Sequence, residues 1–286
     1  MAKKKQSPEI SIVSVTHNSL KVLPRMLSSI NSDLPIIIID NNSDNQDGLK
    51  RVTKRHNARL ILNQSNLGFG VSCNIGASIS KTKYILFLNP DTELNENTIK
   101  YLLDAIKKYP NASAMNPKII ADDNKQFIKR RSHLLPRSKW ERRSYFKKDA
   151  EVNILSGAAL LVNAKHFNQV KGFDQNIFLF HEDDDLCLRL RKECGPLMYV
   201  NKSIVKHYSG TSTSRSNEIA SFKAWHMGQS KIYTIKKHEV VLGRTLAIIN
   251  SIFKIFSPEN FFSRRRFIKN YSFTKSLIHA CISTKH

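Results

Sequence analysis

The stretch YILFLNPDTEL, residues 84–94, decides how this chain is read. An apolar run from Tyr84 to Leu88 stops abruptly at Asn89-Pro90-Asp91. The run has a usual strand length, and apolar character at every position belongs to a strand buried on both faces. Proline lacks the N–H that a sheet ladder needs, so Pro90 ends the strand. A carboxylate, Asp91, then stands just past the tip of an interior strand.

The same pattern lies on either side. EISIVSVTHN (9–18) is rich in β-formers and ends in polar residues, LPIIIIDNNSD (34–44) ends in Asp40, and RLILNQSN (59–66) reads as another strand. Between them, LKVLPRMLSSI (20–30) carries Leu20, Leu23, Leu27 and Ile30 at helical spacing. GFGVSCNIGASIS (68–80) reads as a helix entered through glycines, and NENTIKYLLDAIKKYP (95–110) as a helix with a cap and a proline stop. Strands alternating with helices predict an α/β fold, a mostly parallel sheet covered on both faces. Residues 121–150 are irregular and basic, followed by apolar ILSGAALLV (154–162) and a turn at KGFD (171–174). A helix is expected in FLFHEDDDLCLRLRKECG (178–195) and a strand with a loop in MYVNKSIVKHYSG (198–210). Near 215 the pattern changes to basic helices. The expected organisation is a disordered basic N-terminus (1–8), a catalytic domain (9–215) and a basic helical C-terminal region (216–286).

Lys and Arg outnumber Asp and Glu by 46 to 23 in 286 residues. Such an excess predicts attraction to polyanions and says little about fold. Residues 125–148 hold ten Lys/Arg against one acid, and residues 202–286 hold fifteen against three. The four cysteines show no paired metal spacing; Cys73 and Cys187 read as small core residues, which fits a reducing compartment. MAKKKQSPE has no apolar segment after it, so a signal peptide is not expected. No run approaches the roughly 18 apolar residues of a spanning helix.

In open α/β sheets ligands bind outside the carboxyl ends of the strands. Thr16-His17-Asn18, Asp40-Asn41-Asn42 and Asn89-Pro90-Asp91 all fall at such ends. Acids and amides gathered there suit hydroxyls, a base edge or a divalent metal, although loop Asp and Asn also simply make turns. There is no G-x-x-x-x-G-K-[ST] loop, and the first strand-helix turn, THNSLK, has no glycine. That excludes a P-loop enzyme and a Rossmann dinucleotide binder.

HEDDDLCLRLRKECG is the most unusual stretch: acids run from Glu182 to Asp185 into a helix. Acids at a helix N-terminus complement its dipole, which accounts for one or two of them. A carboxylate beside apolar residues can instead be raised to a useful general-base pKa. His207, in VKHYSG, ends another expected strand. With Asp91 it offers mixed O and N ligands suited to Mn²⁺ or Mg²⁺.

Taken in order, strand-Thr-His-Asn, IIIIDNNSDNQD, NLGFGVSCNIGA, FLNPDTEL, GFDQNIFLFHEDDDLCLR and KHYSGTS closely resemble the family 2 glycosyltransferases of GT-A fold. The closest likeness is to the subgroup of bacterial rhamnosyltransferases of cell-surface polysaccharide assembly, over roughly residues 9–240. The resemblance implies inverting transfer of a sugar from a dTDP- or UDP-linked donor to a glycan or lipid-linked saccharide. It implies that Asp40 contacts the nucleotide and that Asp91 is the last acid of a D-x-D element whose first acid is here Asn89. Thr16, Asn18, Asn42, Asn66, Gly68 and Asn74 fall on the donor side of the same pattern. Glu182 and Asp183 match the family's Glu-Asp pair, with Asp183 as base. Asp184 stands where the family more often has an apolar residue, so the base is one of Asp183 and Asp184. Asp185 and Arg189 match a trailing D-L-x-x-R and, with Gly157, fall on the acceptor side or in support. His207 resembles the metal-side histidine, beside a Mn²⁺ or Mg²⁺ cofactor.

LGRTLAIINSIFKIFSPENFFSRRRF (242–267) places Leu242, Ile249, Ile252, Phe253 and Phe256 on one helical face, with Phe261, Phe262 and Arg264 to Arg266 following. Such a segment either lies at an anionic membrane surface or packs into a core. A lipid-linked acceptor favours the first, and with it a cytoplasmic protein peripheral to the inner face of the cell membrane. Two rivals remain. A nucleic-acid-binding protein fits the charge, but the chain has no zinc-finger, RRM or KH signature, and strand-end acids repel phosphates; nucleic acid is therefore not an expected partner. A sugar nucleotidyltransferase shares such a sheet but usually opens with a glycine-rich loop.

Overall fold

The computed structural model describes residues 8–30, 33–141, 146–208, 210, 216–260 and 262–283. The N-terminus expected to be disordered (apart from Pro8) and Phe261 lie outside the described residues. The strands are β1 (Ile10–Thr16), β2 (Ile36–Asp40), β3 (Arg59–Leu62), β4 (Tyr84–Leu88), β5 (Thr92–Leu94), β6 (Ala114–Ala121), β7 (Gln126–Phe127), β8 (Ala150–Val152), β9 (Ala159–Asn163) and β10 (Leu197–His207). The α-helices are α1 (Leu23–Ser28), α2 (Gln46–Arg55), α3 (Phe69–Ile79), α4 (Thr98–Lys108), α5 (Ala164–Gln169), α6 (Glu182–Glu193), α7 (Asn217–Lys237), α8 (Gly243–Ile255) and α9 (Arg264–Ser283).

One sheet runs through the molecule in the order β3-β2-β1-β4-β9-β6-β10-β5. The strands β3, β2, β1 and β4 pair in parallel. β9 is inserted antiparallel between β4 and β6, and β10 runs parallel to β6. β6 and β10 therefore point the same way as β4, and the sheet is mostly parallel, as expected. Along this path only β9 and the short β5 run against the rest.

The four-isoleucine run shows why the sheet needs two covers. Ile36 and Ile38 face a cluster with Leu23, Met26 and Leu27 of α1 and Leu102 of α4. Ile37 and Ile39 face the opposite cluster, with Cys73 of α3, Phe167 of α5 and Leu186 and Leu190 of α6. Alternate residues of a strand point to opposite faces, so every position is apolar. Cys73 and Cys187 are buried in that second cluster, as their surroundings in sequence predict.

Two elements had weak signals. In α2 the apolar content is low, and the helix is started by Asn45, whose side chain accepts from Gly48 N–H at 2.8 Å. β6 reads AMNPKIIA, and a proline argues against an interior strand. Pro117 sits opposite Val200, where the β10 register slips between Val200 and Ile204. A bulge tolerates the missing N–H.

The C-terminal helices form their own cluster around Ile232, Ile235, Ala247, Leu277 and Ala280. α9 approaches α7 where Gly228 leaves room: a Cβ there would lie 2.6 Å from Ser276 Oγ. α7 is also tied to the sheet domain, since Ser230 donates to Leu179 O at 2.9 Å and Tyr233 to Asp174 at 2.9 Å. The face expected on α8 is open: Leu242, Ile249, Ile252, Phe253 and Phe256 are all exposed, the two phenylalanines at 72% each. Packing of that face into a core of this chain is not what the structure has. No helix among the described residues is long and apolar enough to cross a membrane.

α3 lies close on the sheet because Gly76 carries no side chain; a Cβ there would meet Val13 Cγ1 at 2.3 Å. Gly76→Val should therefore destabilise the fold by about 1–3 kcal/mol through overpacking. Urea unfolding should show a lower midpoint with an unchanged m-value.

Candidate active site

A cavity of about 290 Å³ opens at the carboxyl ends of the parallel strands. One wall is Asn18 after β1, Asn41 after β2 and Asn89-Pro90-Asp91 after β4; the other is Phe178 and Leu179 before α6, with Ile219, Phe222 and Lys223 of α7. The Asn-Pro-Asp turn is closed by Thr92, whose N–H and hydroxyl both donate to Asn89 O. β5 follows at once and pairs with β10, setting Thr92 opposite His207. That register brings His207 Nε2 to 3.2 Å from Asp91 Oδ1. The structure thus brings Asp91 and His207 together, with Asp91 in the cavity lining.

The other strand ends divide the work. Asn18 and Asn41 reach the cavity. Asp40 does not: it is fully buried, and its carboxylate accepts from Ser43 N–H at 3.0 Å and from the Ser43 hydroxyl at 2.5 Å. Thr16 is buried beside it in register, and Asn42 points outward, exposed, at φ 62°. Asn66 and Gly68 line the cavity, with Asn66 Oδ1 accepting from Gly68 N–H at 3.0 Å. Gly68 has φ +83°, and a Cβ there would lie 2.4 Å from Phe178 O, so this approach requires glycine. Asn74 faces away: it donates to Phe173 O at 2.8 Å and accepts from Phe173 N–H at 2.9 Å, pinning the KGFD turn.

The acidic run is entered through strain. Phe180 and His181 both have φ 67°, a left-handed conformation that non-glycine residues rarely adopt and that concentrates at functional sites. The following acids then have four different surroundings. Glu182 is buried; burial and the Asp183 charge raise its pKa above the ordinary 4.5. Asp183 is partly open, its Oδ2 accepting from Gly157 N–H at 2.9 Å and its Oδ1 2.7 Å from Lys129 Nζ. Asp184 is buried 2.6 Å from the same ammonium; burial opposes its charge, yet Lys129 and His181 hold its pKa below the ordinary range. Asp185 is fully buried; burial again opposes, but His238 and Arg189 hold its pKa at about 2. Arg189 in turn donates to Val170 O and Gly172 O, so the Asp185–Arg189 pair fastens α6 to the KGFD turn.

His133, His181 and Asp184 form a second group whose ligand atoms lie within 4.8 Å of one another. Burial and the neighbouring His181 push the His133 pKa down to about 3, so both imidazole and carboxylate are available. Lys129 already sits on Asp184, however, and supplies the positive charge internally.

One backbone bond joins the two centres. Asn89 N–H donates to Ala158 O at 2.9 Å, and the neighbouring Gly157 holds Asp183. Sequence reasoning missed Lys129 within a uniformly basic stretch. It also missed Lys223, Phe222 and Ile219, because α7 was read as separate from the catalytic domain.

A mostly parallel sheet with a cavity at its strand ends, a carboxylate-histidine pair, and a second aspartate tied to it through Gly157 and Ala158 is an architecture this chain shares with known proteins. Residues 11–170 match the profile described as Glycosyl transferase family 2. The chain belongs to that family, and it is a glycosyltransferase enzyme. It is 28% identical over 263 residues to the N-acetylglucosaminyl-diphospho-decaprenol L-rhamnosyltransferase of Mycobacterium tuberculosis, covering 80% of this chain and 85% of that one. It is 28% identical over 273 residues to rhamnosyltransferase WbbL of Escherichia coli K12, covering 85% of this chain and 99% of that one. Among solved structures, GalNAc-T7 with UDP, GalNAc and Mn²⁺ superposes with a TM-score of 0.62 at 15% identity, over 99% of this chain. This chain spans 58% of that protein's length, and the likeness is one of fold.

The raised pKa of Glu182 makes stability depend on pH. The folded state keeps a proton that the unfolded chain releases above 4.5, so this contribution is present below that value and is lost as pH rises. Glu182→Gln removes the proton exchange. Denaturant unfolding across about pH 5 to 9 should show the wild type losing stability relative to the variant as pH increases.

Proposed function

We propose that this glycosyltransferase moves a rhamnosyl or other hexosyl group from a dTDP- or UDP-linked donor to a lipid-linked or polysaccharide acceptor, with inversion. The observation that carries the reading is the tie between Asp183 and the Asp91–His207 pair through Gly157, Ala158 and Asn89. The two relatives named for rhamnosyl transfer support the sugar, and decaprenol in the name of one supports a lipid-linked acceptor.

The acceptor hydroxyl is a poor nucleophile. Asp183 takes its proton while the oxygen bonds to the anomeric carbon and the bond to the diphosphate breaks. Asp183 is favoured over Asp184 because Asp184 is buried with a side-chain exposure of 4%, against 16% for Asp183. Glu182 supports the base from its buried place behind it. Asn18, Asn66, Gly68, Asn89 and Asp91 face the donor; Thr16, Asp40 and Asn74 brace that wall from behind, and Asn42 stands outside it. Gly157, Asp185 and Arg189 hold the base and its helix.

Asp91 and His207 fit a divalent metal, Mn²⁺ or Mg²⁺. Their donor atoms are 3.2 Å apart, and ligands on one octahedral ion with bonds of about 2.1 Å lie roughly 3 Å from each other. When bound, such an ion neutralises charge on the leaving diphosphate.

The open face of α8 and the cations beside it seat the enzyme on an anionic inner membrane surface, where a lipid-linked acceptor is presented. Phe253, Phe256 and Phe262 are exposed, and Arg264, Arg265 and Arg266 follow. Apolar insertion plus cations is the chemistry of interfacial helices.

Asp183→Asn should keep the fold and nucleotide binding while transfer falls by about 10² to 10⁴. Transfer to a lipid-linked saccharide, followed by product mass, checks this. Normal transfer by Asp183→Asn with a dead Asp184→Asn would move the base by one residue. Phe253→Ser combined with Phe256→Ser should release the protein from anionic vesicles in a flotation assay while leaving transfer to a water-soluble acceptor intact.

A further inference from the structure

The donor proposed above brings a polyanion into a cavity whose walls are mostly amide and aromatic. Lys223 is the one lysine or arginine among the described residues that line it. It stands on α7, in the same lining as the turn that carries Asn89 and Asp91, whose charge acts on it. Its place is fixed by its neighbours. Phe178 packs on Phe222 with ring centroids 5.9 Å apart and on His226 at 4.2 Å. Ser230, further along the same helix, holds Leu179 O. The lysine backbone therefore cannot drift from the cavity without breaking this aromatic cluster.

Lys223 is half-buried, and the Asp91 charge acts on it within the same cavity lining. A diphosphate that enters this cavity meets the ammonium there, and lysine is a common phosphate ligand as a point charge.

We infer that Lys223 is a binding residue for the donor's diphosphate, acting from α7 in the cavity that Asp91 also lines. The inference rests on the donor class proposed above. It assigns to α7 a direct part in substrate recognition, beyond closing the cavity. In the sugar-transfer step the bond from anomeric carbon to phosphate oxygen breaks, and the negative charge left on that oxygen stays with the nucleoside diphosphate beside this ammonium.

The test uses the full chain and calorimetric titration with uridine, UDP, thymidine, dTDP and inorganic pyrophosphate. It is run in EDTA so that a metal at Asp91 and His207 does not enter. Lys223→Met should bind the preferred nucleoside as the wild type does, but bind its diphosphate and pyrophosphate about tenfold or more weakly. Lys223→Arg should recover most of the loss. Unchanged diphosphate binding by Lys223→Met overturns the inference, as does an equal loss for nucleoside and diphosphate, which would mark a packing role. A wild type that binds pyrophosphate through Lys223 but no nucleoside overturns the donor reading and keeps the anion site. A wild type that binds none of the probes overturns both.

Discussion

The hydrogen bond from Asn89 N–H to Ala158 O joins the two halves of the site. It continues the antiparallel ladder of β4 and β9, whose last pair is Leu88 with Ala159. On one side of it the chain turns through Pro90 to Asp91. On the other, Gly157 offers its N–H to Asp183. The relative position of Asp91 and Asp183 is thus a matter of strand register. A slip by one residue would turn every β9 side chain to the wrong face. Ala159, Leu160, Leu161 and Val162 are essentially fully buried on both faces, so a slip would exchange side chains of different volume between two close-packed faces, and packing is what forbids it. Close packing of apolar side chains thus sets the relative placement of Asp91 and Asp183.

The pattern from residue 9 to 110 was legible because each element there buries a face with its own period. The isoleucines of β2, the stripe of α1 and the stop at Pro90 all carry their reason in local sequence. Asp91 and His207 were legible as strand-end residues, and the β5–β10 pairing that unites them is short and local to those ends. The insertion of β9 between β4 and β6 was not legible, since an apolar segment does not state its direction or neighbours. β6 was hidden by Pro117, which is tolerated only because β10 bulges opposite it. At the end of β2, side-chain direction decided what composition could not: Asp40 turns inward to Ser43 while Asn41 reaches the cavity. Lys129 was one cation among ten in its stretch until the fold set it between two carboxylates.

The acidic run shows how one motif yields separate functions. A helix N-terminus favours all of these acids equally in principle. The surroundings then make them unequal. Asp185 is spent on Arg189, Lys237 and His238, and Asp184 on Lys129 and His181. Glu182 is held toward its neutral form by burial. Asp183 shares Lys129 with Asp184 but keeps more exposure than its neighbour, 16% against 4% of the side chain, while Gly157 N–H orients it. A chain with a net charge of +23 surrounds its acids with cations. Burial and the number of cationic partners together grade the carboxylates, from fully enclosed Asp185 to part-exposed Asp183.

α7 carries this logic into the C-terminal region. At its start, Ile219, Phe222 and Lys223 wall the cavity. At its end, Lys237 and the adjoining His238 clamp Asp185, two residues from Asp183. A segment that bridges cavity and catalytic helix in this way cannot be removed as a detachable anchor without altering both. The exposed apolar face of α8 begins only a few residues beyond that clamp, after the turn at Leu242. The open face of α8 is thus joined, through the packing of α7 with α8 and α9, to the cavity wall that Ile219, Phe222 and Lys223 form, so a contact made at one bears on the other.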